Sequence, residues 1–236
     1  MVASEGGRVF VTSMEESECR ELVGDIESRG GAAAFRVADL RIESDGAEAF
    51  ESALDFLGRI DGLVAVAGAS GRPFGDGPIH EMPLEGWEKT LQANLTPLFL
   101  ATRHAVGSML NGGGGSVVVI SSVLATSPIP ELFATHAYAA AKGAANSLVT
   151  SLAAYYAPSS IRVNGVAPGL VRTPMSARAQ ADPATVEYVT RKQPLARGLL
   201  EPDHVADAAV FLLSDESSQV TGQVIAVDGG WTMTPA

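Results

Sequence analysis

The sequence predicts an α/β fold, namely a doubly wound, mostly parallel sheet of about six strands with helices on both faces. Three observations support this prediction. Short apolar runs bounded by turn residues alternate with helical-period segments along the whole chain of 236 residues. Hydrophobic residues make up 46% of the chain, which is enough for a buried sheet and its covering helices. No internal repeat or linker interrupts the pattern, so a single domain over residues 1–236 is expected.

The elements follow from these runs in order. The strands are predicted at residues 8–12, 33–38, 62–67, 116–120, 161–166 and 223–227. The helices are predicted near residues 14–29, 44–58, 84–110, 136–157 and 202–213. Right-handed crossovers give the strand order 2-1-3-4-5-6, which is the order of a doubly wound sheet without one edge strand. The fold is therefore expected to be one βα unit short at its N-terminal side.

Composition narrows the class of function. The net charge of −11, with only three lysines (Lys89, Lys142 and Lys192), argues against a nucleic-acid partner and favours a small-molecule substrate. No leader-like segment opens the sequence and no apolar run approaches the ~18 residues of a membrane span, so a cytoplasmic protein with no membrane partner is expected. The four histidines are scattered over different elements, and no metal site is predicted.

Five stretches, in order along the chain, carry a specific signal. They are Asn94 in Gln-Ala-Asn-Leu, Ile120-Ser-Ser122, Tyr138-x-x-x-Lys142, the Pro168-Gly169 segment that ends in Thr173, and the stretch from Thr221 to Trp231. The ordered set resembles the short-chain dehydrogenase/reductase family, and the resemblance runs from Val9 to Trp231. It implies a Rossmann-like sheet and an oligomeric enzyme.

The residue types suit acid–base chemistry. Tyr138 and Lys142 lie four residues apart and therefore on one helix face, where an ammonium is expected to lower the pKa of the phenol. Ser122, at the end of the fourth strand, would hydrogen-bond a substrate oxygen, although the spacing to Tyr138 leaves Ser121 open as the working hydroxyl. The resemblance assigns Asn94 to a water that links Lys142 to solvent. Together the four residues form a catalytic tetrad.

The cofactor side departs from the family pattern. The resemblance implies a Thr-Gly-x-x-x-Gly-x-Gly turn after the first strand, where backbone N–H groups hold the pyrophosphate of a dinucleotide. The chain instead has Thr12-Ser-Met-Glu-Glu-Ser-Glu18, in which Ser13 and Glu16 predict a capping box. The acidic residues of this turn would repel a phosphate. Ala65-Val-Ala-Gly68 likewise stands where the family has Asn-Asn-Ala-Gly. The phosphate site is therefore interpreted as degraded.

Some cofactor residues are retained. Pro168, Gly169 and Thr173 match the segment that lies against the nicotinamide in the family, although a tight turn that shapes the substrate pocket would look the same. Asp39, after the second strand, is either an acceptor for an adenosine ribose or an ordinary turn residue. If a dinucleotide binds, the candidate binding residues are Asp39, Gly68, Pro168, Gly169 and Thr173.

An intact tetrad beside a degraded phosphate site favours a non-redox enzyme, such as a dehydratase, isomerase, epimerase or cyclase, that works without a cofactor. The alternative is an NAD(P)-dependent ketoreductase or alcohol dehydrogenase with atypical cofactor binding, and a second alternative is a silent partner subunit. A substrate lid is expected around residues 174–200, where Arg178 and Arg191, like Arg172 before them, either meet an acidic substrate or are simply solvated. Helices 84–110 and 136–157 look apolar on more than one face, which favours a homo-oligomer.

Overall fold

The computed structural model describes residues 1–129 and 132–235. Within them the predicted α/β class is confirmed, because parallel strands alternate with α-helices from β1 to β6. The strands are β1 (Val9–Ser13), β2 (Ala33–Val37), β3 (Gly62–Ala65), β4 (Gly115–Ile120), β5 (Ile161–Pro168) and β6 (Val224–Val227). The helices are α1 (Glu16–Ser28), α2 (Glu43–Leu57), α3 (Leu84–Gly112), α4 (His136–Tyr156), α5 (Ala177–Ala181), α6 (Pro183–Lys192) and α7 (Pro202–Leu213). The short helices α5 and α6 lie within the segment predicted as a lid.

The core forms on both faces of the central strands β4 and β5. Val117 and Val119 of β4 pack with residues of α3 and α4, whereas Val118 points to the opposite face and packs against α7. This alternation follows from the period of two along a strand, and burial on both faces explains why β4 is a continuous run of valines.

The strand order differs from the prediction at one place. Strand β2 pairs with β1, and β3, β4, β5 and β6 pair in that order, but no pairing joins β1 to β3. An apolar cavity of about 400 Å³ lies between these two strands instead. The expectation that the sheet lacks a strand at its edge is therefore wrong. The strand pairing is interrupted between β1 and β3, in the middle of the strand order.

The start of α1 also differs from the prediction. The residue that precedes the helix is Glu15, and no side chain caps the first turn. The Ser13 hydroxyl accepts a hydrogen bond from the N–H of Glu15 at 3.2 Å, and the Glu16 side chain pairs with Arg20. The predicted capping box between Ser13 and Glu16 is therefore wrong, since the helix starts too late for Ser13 to reach its third N–H.

Large apolar side chains remain exposed on the outer faces of α3 and α4. Phe99 is 53% exposed and Tyr155 is 76% exposed. These faces support the expected self-association, which stays a prediction. None of the described helices combines the length and the apolar character that crossing a bilayer requires.

Candidate active site

The carboxyl ends of β3, β4 and β5 open into a cavity of about 520 Å³. This is where a doubly wound sheet normally binds its ligands, because the loops that follow parallel strands meet at one edge. Its walls are mainly apolar and include Leu124, Phe133, Leu170, Met175 and Trp231. Three of the four tetrad candidates reach it from β4 and α4, and Asn94 reaches it from α3.

Ser122 and Tyr138 face each other in this cavity. Ser122 follows β4, Tyr138 lies in the first turn of α4, and both side chains line the cavity, where the Ser122 hydroxyl accepts a hydrogen bond from the N–H of Leu124 at 3.2 Å. The neighbouring Ser121 hydroxyl donates to the backbone carbonyl of Lys142 at 3.3 Å. Because Ser121 is committed to the backbone of α4, the geometry favours Ser122 as the hydroxyl that meets a substrate.

The pKa of Tyr138 is raised, mainly because burial disfavours the phenolate, and the hydrogen bond with Ser122 opposes this rise. The expectation that Lys142 lowers the phenol's pKa is therefore wrong for this structure. The Lys142 ammonium lies 5.6 Å from the centre of the Tyr138 ring and donates to the carbonyl of Ile120 at 2.9 Å. It thus lies over the ring face and makes no hydrogen bond to the phenol oxygen.

Lys142 is itself strongly perturbed. Burial lowers the pKa of its ammonium from 10.5 to about 8, because the charged form loses its hydration. A lysine that titrates this close to neutral pH can change charge during catalysis, and such shifts are concentrated at functional sites.

Asn94 holds the loop that follows β3. Its side-chain amide donates to the carbonyls of Ala69 (3.0 Å) and Thr90 (2.9 Å), and its oxygen accepts from the N–H of Ala69 at 3.3 Å. A Cβ atom on Gly68 would lie 2.7 Å from the Asn94 oxygen and 3.6 Å from the Lys142 ammonium. Glycine at position 68 therefore lets the loop pass between these two tetrad side chains.

Asp76 supports the tetrad and was not found from the sequence. It is 5% exposed, and its carboxylate accepts hydrogen bonds from the backbone N–H groups of Ala137 (3.0 Å) and Tyr138 (2.9 Å). It thus caps α4 from a distant loop and fixes the turn that carries Tyr138. Capping signals are sought next to a helix in the sequence, and this cap lies about sixty residues away.

The segment after β5 is locked in place by a buried glutamine. Gln193 accepts from the N–H of Leu170 at 2.6 Å and donates to the Leu170 carbonyl at 3.2 Å. A Cβ atom on Gly169 would lie 2.0 Å from the Gln193 oxygen, so only glycine fits there. The backbone of Thr173, further along, accepts a hydrogen bond from Gln180 at 2.8 Å.

The structure brings four of the five cofactor candidates to the cavity: Gly68, Pro168, Gly169 and Thr173. Asp39 lies apart, at the end of β2, where it forms an ion pair with Arg41 (2.7 Å) that lowers the pKa of its carboxyl. The cavity has room and a glycine-lined wall for a flat nicotinamide ring, so the residues on this side fit a dinucleotide.

The strand order reverses at the opening in the sheet. In a doubly wound sheet the pyrophosphate lies at the end of the central strand, where the strand order reverses. In this chain the reversal falls at the opening between β1 and β3. The turn Thr12–Glu18 follows β1, which flanks the opening, and its interpretation as a degraded phosphate turn stays a prediction.

The charged side chains that line the cavity all have the same sign. Among the described residues that line it, Arg72, Lys142 and Arg178 are basic and none is acidic. Burial lowers the pKa of Arg72, and the nearby charge of Arg178 lowers it further. Arg172 and Arg191 instead pair with Glu201 (2.9 Å) and Glu187 (2.7 Å) outside the cavity. Of the three arginines considered from the sequence, only Arg178 lines the cavity.

Comparison with known proteins agrees with this geometry. A family model described as Enoyl-(Acyl carrier protein) reductase matches residues 1–232. Cis-4-hydroxycyclohexanecarboxylate dehydrogenase of Sinomonas cyclohexanicum is 34% identical over 98% of this chain and 89% of its own length. A short-chain type dehydrogenase/reductase from Mycobacterium ulcerans has a TM-score of 0.91 at 32% identity, covering 100% of this chain and 84% of that one.

A gluconate 5-dehydrogenase from Burkholderia cenocepacia, solved in complex with NADP and tartrate, has a TM-score of 0.89 at 27% identity, covering 99% of this chain and 89% of that one. Relatives that are named dehydrogenases, one of them with NADP bound, overturn the expectation that no cofactor is used, which is therefore wrong. Because the family model matches residues 1–232 and the Sinomonas relative is 34% identical over 98% of the chain, the chain belongs to the short-chain dehydrogenase/reductase family.

Proposed function

We propose that this enzyme is an NAD(P)-dependent dehydrogenase that interconverts a secondary alcohol and a ketone on a small apolar molecule carrying a carboxylate. The observation that carries the proposal is the placement of Tyr138 and Ser122 together in an apolar cavity whose described charged lining residues are all basic. Apolar walls suit a hydrocarbon body, and guanidinium groups suit a carboxylate.

The tetrad supplies the proton chemistry. A bound nicotinamide would take up or deliver the hydride, and Pro168, Gly169 and Thr173 would hold it against the cavity wall. Ser122 would hold the substrate oxygen, and Tyr138 would remove the hydroxyl proton in oxidation or return it in reduction. Lys142, whose ammonium donates to the Ile120 carbonyl, would hold its charge over the face of the Tyr138 ring. Asn94 would keep the loop at Gly68 open beside them.

The relatives favour hydride transfer over non-redox chemistry. The same four side chains could serve a dehydratase or an isomerase, but the curated relative named above acts on a ring that bears both a hydroxyl and a carboxylate. The gluconate 5-dehydrogenase is named for another hydroxy acid. Both names agree with the basic cavity of this chain.

The proposed substrate class predicts that the KM depends on whether the substrate carries a carboxylate. Cis-4-hydroxycyclohexanecarboxylate should be oxidised with a KM at least tenfold below that of cyclohexanol, because a charge-assisted hydrogen bond contributes about 1.5–3 kcal/mol and about 1.4 kcal/mol is tenfold. Arg178→Gln should raise the KM for the carboxylate substrate by about tenfold or more and leave cyclohexanol unaffected. The assay is the near-ultraviolet absorbance of the reduced nicotinamide at millimolar NAD⁺ or NADP⁺.

Arg191→Gln is the matched control, since Arg191 belongs to the same segment but pairs with Glu187 outside the cavity. Equal effects of the two substitutions on KM would contradict the assignment of Arg178. Absence of hydride transfer with either nucleotide, under all conditions tested, would contradict the proposed function itself.

Substitution of Ser122 and of Ser121 should have clearly different effects on kcat. Ser122→Ala is expected to lower kcat by about a hundredfold, in line with the loss of one donor at a developing oxyanion. Ser121→Ala should change kcat by less than about threefold, because its hydroxyl serves the Lys142 carbonyl. Steady-state kinetics of both variants test this directly, and a larger loss for Ser121→Ala would reverse the assignment.

A further inference from the structure

The opening between β1 and β3 has two sheet edges facing each other. Strand β1 is paired only on its β2 side and β3 only on its β4 side. β1 runs parallel to β2, and β3 runs parallel to β4 and β5. The right-handed crossovers of a doubly wound fold give the two free edges the same direction. We refer to the cavity of about 400 Å³ between them as the slot.

The hydrogen-bonding groups of both edges point into the slot. In a parallel strand, alternate residues direct their N–H and C=O groups to opposite neighbours. Val9 donates to Ala32, and Ser13 accepts from Ala38, so Phe10 and Thr12 direct theirs away from β2. Just before β3, the carbonyl of Asp61 accepts a hydrogen bond from the N–H of Ser116 in β4.

Counting on from Asp61, Gly62 and Val64 face away from β4 and toward the slot. By this alternation the N–H and C=O groups of Phe10, Thr12, Gly62 and Val64 lie on the unpaired edges of the two strands. A sheet interior with two unpaired edges of this kind is unusual, because buried backbone groups are nearly always paired.

The slot is apolar and is walled on one face only. Its lining beyond the two strands comes mainly from α2 and α3, with side chains that include Ala49, Phe50, Ala53, Leu57 and Leu98. Neither α1 nor α7 contributes to it. As a result β1 and β3 are only partly buried, whereas β4 and β5 are almost wholly buried, and Val66 beyond β3 is 62% exposed.

We propose that the slot binds one extended apolar polypeptide segment, parallel to β1 and β3, whose carboxyl end carries a glycine-rich turn leading into a helix. One strand would pair with both edges at once, and its apolar side chains would fill the lining. Its helix would cover the face that α2 and α3 leave open. The glycine-rich turn follows from the proposed function, because the carboxyl end of the slot is where the pyrophosphate must lie.

The lengths of the relatives support a segment of this size. The alignment with the Sinomonas dehydrogenase takes in 98% of this chain but 89% of that protein, and the Mycobacterium structure is matched over 84% of its length. Between about a tenth and a sixth of each relative is therefore unmatched here, which is close to the size of one βα unit of a doubly wound sheet.

The test adds a synthetic peptide to the 236-residue protein. The peptide contains a strand of about five Val and Ile residues, a Thr-Gly-x-x-x-Gly-x-Gly turn and an amphipathic helix of about twelve residues. At ~100 μM peptide, hydrogen exchange at the amides of Phe10, Thr12 and Val64 should slow at least tenfold. The affinity for NADH or NADPH should tighten at least tenfold.

Two proline controls make the site specific. Val64→Pro removes an N–H that faces the slot and should abolish protection, whereas Val37→Pro, at an outward-facing position of the edge strand β2, should leave it intact. A peptide with prolines at alternate strand positions tests the same point without changing the protein. Equal behaviour of the two protein variants, or protection by the proline peptide, would overturn the proposal.

The remaining outcomes separate this proposal from the proposed function. No protection by the unmodified peptide, whether free or fused before Met1, would overturn the slot as a strand site, even if the protein oxidises alcohols by itself. Protection without dinucleotide binding would uphold the slot and contradict the dehydrogenase function. Self-association that Val64→Pro abolishes, with the slot amides protected in the protein alone, would identify a second copy as the occupant and overturn the proposal.

Discussion

Tyr138→Phe is expected to lower kcat for alcohol oxidation by about a thousandfold, with little change in the KM of the carboxylate substrate. General acid–base catalysis contributes about 10²–10⁴-fold, and the phenol hydroxyl is the group that exchanges a proton with the substrate oxygen. The ring itself, which lies beside the Lys142 ammonium, is kept, so the fold should be preserved. Reduced-nicotinamide absorbance and circular dichroism measure the two properties.

Tyr155→Phe is the matched control, because Tyr155 lies on the same helix but is 76% exposed and outside the cavity. It should leave kcat unchanged. If Tyr138→Phe kept turnover within tenfold of the wild type, the proton would have to be transferred by another group. The retained activity would then contradict the role of the tetrad.

Lys142→Met is expected to abolish turnover and, at pH 7, to raise the free energy of unfolding by about 2 kcal/mol. Burial lowers the pKa of Lys142 from 10.5 to about 8. One pKa unit is about 1.4 kcal/mol, so the charged lysine destabilises the fold by about 3 kcal/mol. Methionine has a similar shape without the charge, so the variant avoids this destabilisation. Loss of the hydrogen bond to Ile120 lowers its stability by about 1 kcal/mol, which leaves the net gain of about 2 kcal/mol.

The pH dependence of the free energy of unfolding tests whether the Lys142 charge destabilises the fold. In the window between about 8 and 10.5 the unfolded chain binds the Lys142 proton and the folded chain does not, so wild-type stability rises with pH there. The advantage of Lys142→Met should therefore be largest below pH 8 and vanish by about pH 10.5. Urea unfolding at several pH values measures it.

Lys89→Met serves as the control, because Lys89 is exposed and pairs only with Glu85 on its own helix, so it should change stability by less than about 0.5 kcal/mol. A stability gain for Lys142→Met that is the same at pH 7 and at pH 10.5 would show that improved packing, and not the charge, is responsible.

The helices and strands were predicted well from the sequence where short runs of residues specify their own secondary structure. The valine run of β4 and the alternating stripes of the helices specify their own secondary structure, and α7 begins and ends at the predicted residues. The grouping of the tetrad candidates at one cavity was also predictable, because Tyr138 and Lys142 share one helix and Ser122 follows one strand.

Partners that are distant in sequence could not be predicted. Asp76 caps α4 from a loop after β3, and Gln193 locks Leu170 from the end of α6, and neither residue has a neighbouring motif that marks it. The opening beside β1 could not be predicted for a related reason. Any strand–turn–helix unit looks alike in sequence, so β1 could be identified as a strand but not as a flank of the switch point.

The facing edges of β1 and β3 also bear on solubility. An open edge that points outward is a template for aggregation, since a strand from another molecule can pair with it and leave its own far edge free. In this chain the unpaired edges of β1 and β3 face each other across one cavity. A strand that enters uses up both edges and exposes no new one, so pairing at this place ends with the first strand and cannot propagate into a fibre.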